Sequence, residues 1–132
     1  MWLYNGTEFT EEMIGKNIGF VYLITNKINN KKYIGKKLFF FSKTRTIKGK
    51  KKKEKALSDY MVYWSSSEHL QNDVANLGES NFTREILYLC QNKGTMSYLE
   101  AKEQFRNEVL EHPNDWYNGI IQCKIHRTHV KL

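Results

Sequence analysis

Tyr22 and Tyr33 stand eleven residues apart in the stretch Gly19 to Lys37, GFVYLITNKINNKKYIGKK, and Lys36 and Lys37 follow the second of them. A free phenol titrates near ~10 and is a poor base at neutral pH. An ammonium group beside it favours the phenolate and lowers that value. Further along, residues 43–55, KTRTIKGKKKKEK, hold eight of the 21 Lys and Arg and one of the 14 acids, so the whole formal excess of +7 lies in one segment. A focused block of cations fits a polyphosphate, because each neutralised phosphate releases counterions and adds sequence-independent affinity. Lys43, Lys48, Lys50, Lys51, Lys52 and Lys53 are the expected phosphate contacts there, joined by Lys36 after the second tyrosine and by Ser66 in the later Ser65–Ser67 run.

The elements that must position these groups are legible in part. Val, Tyr and Ile around residues 20–24 and 33–34 favour extended backbone, and the Asn29-Asn30 pair tolerates a tight turn. Two antiparallel strands joined at Ile28–Lys31 follow, with Phe20, Tyr22 and Ile24 on one face. Phe82 to Cys90 reads as a strand central to a small sheet, which gives three antiparallel strands flanked by helices, an α+β fold. Thr10 caps a short helical turn, and the Trp2, Tyr4 and Phe9 cluster covers a sheet edge. Ser65–Ser67 cap a helix from about Glu68 to Leu77, stopped by Gly78, and the same serines could bond phosphates. A second helix starts at Ser97 and is ended by Pro113, with Tyr98, Leu99, Lys102, Phe105, Val109 and Leu110 as its helical stripe. His69 is expected to be solvated.

At 132 residues with 40% apolar content the chain is read as one domain, residues 1–132, with a core at about 18–119, a basic insert at 39–57 and a tail at 120–132. No apolar run approaches the ~20 residues of a membrane span, and the start is not that of a signal peptide, so a cytoplasmic location is expected. Cys90 and Cys123 are too few for a disulfide scaffold. With His126 and His129 they could form a structural Zn²⁺ site, although metal-site pairs usually show tighter spacing. Otherwise His126 to Lys131 is a basic tail along a phosphate backbone.

These residues resemble the GIY-YIG nuclease superfamily, and the wider arrangement looks like its small phage-encoded members. Phe20-Val21-Tyr22 would be the first signature element and Tyr33-Ile34-Gly35 the second. The family's first glycine position is Phe20 here, with Gly19 one residue earlier. The resemblance implies an arginine on the scissile phosphate. By offset that position falls on Lys43, and Arg45 is preferred because a planar guanidinium grips two phosphate oxygens at once. It also implies a helix-borne glutamate on a divalent metal, followed by an asparagine. Glu103 and Asn118 match in type, order and a spacing of 15, with Glu100 one turn earlier as the competing ligand.

What the resemblance implies is hydrolysis of DNA. Mg²⁺ (or Mn²⁺) would sit on Glu103, Tyr22 or Tyr33 assisted by Lys37 would activate water, Arg45 would bind developing charge, and Asn118 would fix the turn or help hold the phosphate. The ends left would be 5′-phosphate and 3′-hydroxyl. One site makes one cut, so a double-strand break would need a homodimer or two visits. No second DNA-reading domain is expected. The rival is a non-catalytic nucleic-acid-binding module built on the same basic segment, and it gains if the Glu103 carboxylate faces away from the hairpin hydroxyls.

Overall fold

The computed structural model describes residues 1–132. Its strands are β1 (Leu3–Tyr4), β2 (Thr7–Glu8), β3 (Gly19–Asn26), β4 (Lys32–Leu38), β5 (Phe40–Ile47), β6 (Lys50–Leu57) and β7 (Phe82–Cys90). Its helices are α1 (Glu68–Leu77) and α2 (Lys93–Arg106), with short 3-10 turns between. The architecture is α+β: a mixed five-stranded sheet in the order β2-β1-β7-β3-β4, and a separate two-stranded ribbon of β5 and β6.

The β3–β4 hairpin forms as its residues predict. Tyr22 pairs with Gly35 and Ile24 with Tyr33. Asn30 takes φ 62 in the turn, and Asn26 Oδ1 accepts from the Ile28 amide at 3.0 Å. Three antiparallel strands, the expected sheet, make only one side of it, from β7 through β3 to β4. The addition comes from residues 3–8, where Leu3 and Tyr4 run parallel to Glu85 and Ile86 of β7. An isolated two-residue strand carries no readable alternation, and the pairing is anchored by its neighbours Trp2 and Phe9, which are buried in the core rather than lying over an edge.

The sheet separates two apolar layers. Phe20, Tyr22 and Ile24 share one with Trp2, Phe39, Tyr60, Leu70 and Ile86. Val21 and Ile34 share the other with Leu99, Met96 and Val109. A bulge in β7 opposite Val21 and Tyr22 leaves Leu87 unpaired. It therefore shifts the alternation of β7 midway, which is why that strand alternates early and then turns apolar along its length.

Helix α1 matches expectation: Ser67 accepts from the Leu70 amide and Gly78 ends it at φ 92. Helix α2 does not. It begins at Lys93, because Asn92 Oδ1 caps the Thr95 amide at 2.8 Å and carries the helix through Gly94. It ends at Arg106, well before Pro113, and Phe105 and Leu110 are exposed.

The basic insert is an eight-by-eight-residue ribbon turned at Lys48-Gly49, both at positive φ. Alternation puts Ser42, Thr44, Thr46, Lys51, Lys53 and Lys55 on one face and Lys43, Arg45, Lys50, Lys52 and Glu54 on the other. Neither face is apolar, so the ribbon has nothing with which to join the main sheet. At its foot the Ser58 amide donates to Phe39 O at 2.7 Å and the Ser58 hydroxyl to Leu38 O at 2.6 Å.

Candidate active site

Strand β4 is the free edge of the main sheet, and the candidate site lies around it. Its outer side is closed by the chain beyond α2. Lys32 donates to Asp115 O at 2.9 Å and accepts from the Tyr117 amide at 2.8 Å. One pair further along, the Asn118 side chain stands in for a missing strand, accepting from the Ile34 amide at 3.0 Å and donating to Ile34 O at 2.8 Å. Gln104 Nε2 donates to the same carbonyl at 3.0 Å. Asn118 thus holds the edge of β4.

Beside this edge is a cavity of about 190 Å³ lined by Tyr22, Tyr33, Lys36, Ser66, Glu100, Gln104, Ile120 and Gln122. The two phenols stack with ring centroids 6.1 Å apart, and the Tyr33 hydroxyl is 3.2 Å from Ser66 Oγ. Ser65, buried and at φ 77, turns the chain so that Ser66 meets Tyr33. Glu100 enters from α2 with its side chain 13% exposed, and Lys36 Nζ lies 3.9 Å from its Oε1 while donating to Ser97 Oγ at 2.7 Å.

Gly35 allows the phenols to sit there. A Cβ on it would lie 2.6 Å from Tyr22 Cζ and 2.8 Å from Tyr33 Cε1. Gly35→Ala is therefore expected to displace Tyr22 and destabilise the fold by about 1–3 kcal/mol, the usual range for overpacking. Denaturant melts of the variant check this, and any reaction that depends on the phenols should slow about 10²-fold, as for a misplacement near 1 Å.

The electrostatics differ from expectation. Lysines 36 and 37 were expected to pull the phenols down. Instead burial, followed by the neighbouring Tyr33, Tyr63 and Glu100, holds Tyr22 well above the ordinary tyrosine value. Tyr33 is raised as well, by burial first, with the Ser66 hydrogen bond opposing and Glu100 adding. Burial also lifts the Glu100 carboxyl above the usual range, and Lys36 draws it part of the way back. Lys37 does not line this cavity: its ammonium pairs with Asp59 Oδ1 at 2.7 Å and covers the Tyr63 ring at 3.9 Å.

Glu103 is likewise outside. Three residue positions on α2 separate two environments, since Glu100 faces β4 while Glu103 Oε1 accepts from Tyr88 Oη of β7 at 2.7 Å and pairs with Arg106 at 3.3 Å. The carboxylate that meets the hydroxyls is Glu100, the competitor weighed from sequence. Arg45 is on the ribbon, 63% exposed and 3.7 Å from Glu54, and no arginine lines the cavity. Arg84, buried between Trp2 and Trp64, donates to the carbonyls of Tyr63 and Met61. Burial lowers its pKa to about 10.

Lys43, Lys48, Lys50, Lys51, Lys52 and Lys53 are exposed along the ribbon, Ser66 is at the cavity, and Lys36 links the two regions. It also lines a larger cavity of about 580 Å³ between the ribbon foot and α2, shared with Lys37, Asp59, Lys93 and Ser97. Cys90 is buried, Cys123 is exposed, and no group of three or more His, Cys, Asp or Glu comes together that could hold a metal ion. His69 contacts Asp73 and the Tyr117 ring, away from the phenols. No helix is long and apolar enough to cross a membrane. Gln104, Ile120 and Gln122 went unread in the sequence. For Gln104 there was a signal, its position one helical turn after Glu100 on the same face.

Paired tyrosines on adjacent strands, with a helix-borne carboxylate beside them, make the arrangement expected of a GIY-YIG domain. The chain belongs to that endonuclease superfamily: the family model described as "Putative endonuclease segE, GIY-YIG domain" matches residues 2–121, ribbon and first strand included. Neither the curated proteins nor the solved structures searched give a match.

Proposed function

We propose that this chain is a divalent-metal-dependent DNA endonuclease whose cavity holds the scissile phosphate. The observation that carries this is the meeting of Tyr22, Tyr33, Lys36 and the buried Glu100 carboxylate around one cavity in a GIY-YIG domain. The donor set suits magnesium. One hard carboxylate leaves most of the coordination sphere to water and phosphate, and Gln104 carries a buried side-chain oxygen with no partner in the same wall. Glu100 would hold the ion, which when bound supplies positive charge to the phosphate and to the leaving oxygen.

The phenols, neutral at physiological pH, act by orientation. The Tyr33 hydroxyl, set by Ser66, holds the attacking water in line, and the Tyr22 hydroxyl bonds a phosphate oxygen. Lys36 takes the place foreseen for Arg45 and Lys37, stabilising developing negative charge. DNA enters along Lys36, Lys37 and Lys93 from the ribbon, whose lysines grip the flanking duplex. A single cavity per chain cuts one strand, so a double-strand break takes two copies or two visits.

The cavity without an arginine favours one rival, a binding module that does not cut. Plasmid incubated with purified protein separates them. Nicked or linear product is expected with Mg²⁺ or Mn²⁺ and none with EDTA. Intact supercoiled plasmid in every metal, with duplex binding retained, would leave the binding module standing.

A further inference from the structure

Three buried side-chain polar atoms lack a hydrogen-bond partner: Tyr60 Oη, Arg84 Nε and Gln104 Oε1. Only Gln104 belongs to a residue lining the phenol cavity. Its amide orientation is fixed, because Nε2 is committed to Ile34 O at 3.0 Å, which leaves Oε1 as the free end. The residue is 4% exposed. An acceptor buried without a donor costs about 1–3 kcal/mol, so such a group calls for a water or an ion. Gln104 follows Glu100 by one helical turn, and a cavity of about 190 Å³ has room for several waters. No protein donor is at hand, and Mg²⁺ gives up its waters reluctantly.

Resting on the function proposed above, we infer that Gln104 Oε1 accepts a hydrogen bond from water carried by the divalent ion on Glu100. Gln104 is thereby a positioning residue for that ion. The amide spans two tasks: Nε2 ties α2 to the edge of β4, and Oε1 orients the hydration shell against the carboxylate. Its bond to Ile34 O is backed by Asn118, so the strand edge survives its loss.

The test is Mn²⁺ titration, followed by the loss of free-ion EPR signal, with and without a short DNA duplex, together with melting in EDTA. Gln104→Met removes both the oxygen and the Ile34 bond, whereas Gln104→Glu keeps an oxygen and loses only the donor. Mn²⁺ affinity is expected to fall about 10- to 100-fold in Gln104→Met, the usual loss for an outer-shell partner, and to hold in Gln104→Glu. The melting temperature of Gln104→Met in EDTA should stay level or rise, since an unpaired oxygen has been removed. Equal affinity in wild type and Gln104→Met, equal loss in both variants, or a lower EDTA melting temperature would each overturn the inference. Failure of the underlying function looks different: wild type and Glu100→Ala would then bind Mn²⁺ alike, or not at all.

Discussion

Glu100→Gln should abolish plasmid cleavage, by at least about 10³-fold, while Glu103→Gln cleaves within about twofold of wild type. The first removes the only carboxylate in the cavity and with it the charge that several kcal/mol of metal-assisted stabilisation depends on. The second keeps an acceptor for Tyr88 and lies outside the cavity. Duplex affinity measured in EDTA should survive both, because the cations are elsewhere. If Glu103→Gln instead were the inactive one, the proposed site would be wrong.

The same carboxyl sets a pH dependence. Burial raises its folded-state pKa above the unfolded value, so the ionised form costs stability in the folded chain without metal. Lowering the pH through the raised value protonates the folded state first and relieves that cost. Two consequences have opposite signs. Cleavage, which needs the carboxylate, should fall as pH drops below the raised value. Stability in EDTA at neutral pH should be no lower in Glu100→Gln than in wild type, a loss of activity without a loss of fold.

The second large effect concerns the ribbon. Replacing residues 41–56 by a short turn should weaken duplex binding about 10²- to 10³-fold at low salt. The dependence of log affinity on log salt should become shallower by about one unit for each lysine that touches phosphate. The deletion removes all eight clustered cations and one acid and leaves 13 bases against 13 acids. Melting of the core should change little, since the ribbon strands pair only with each other and the stem is closed at Phe39 and Ser58. Fluorescence anisotropy over a salt series checks the first point and circular dichroism the second. An unchanged slope would place the DNA path somewhere other than the ribbon.

Much of this was legible in the residues. The hairpin of β3 and β4, the apolar β7, the capped α1 and the convergence of Tyr22 with Tyr33 follow from strand alternation, turn-forming Asn and a Ser cap. What escaped was decided by contacts distant in sequence. Leu3 and Tyr4 become strand only because β7 offers an open edge. The choice between Glu100 and Glu103 depends on helix rotation, about 60° apart on the same face, and is settled by Lys36 on one side and Tyr88 on the other. The upward pull on the phenols could not be seen because burial, which outweighs the nearby lysines, is a property of the assembled core.

The closure of β4 by Asn118 also bears on how the protein is made. The cavity draws Tyr22 together with Ile120 and Gln122, residues about a hundred positions later, and Ile34 is held by a side chain 84 positions later. A nascent chain still short of residue 118 on the ribosome has an open strand edge and no complete wall around its phenols. The cavity therefore closes only when residues 118–122 have joined the strand that precedes them by more than eighty positions, and it forms all at once.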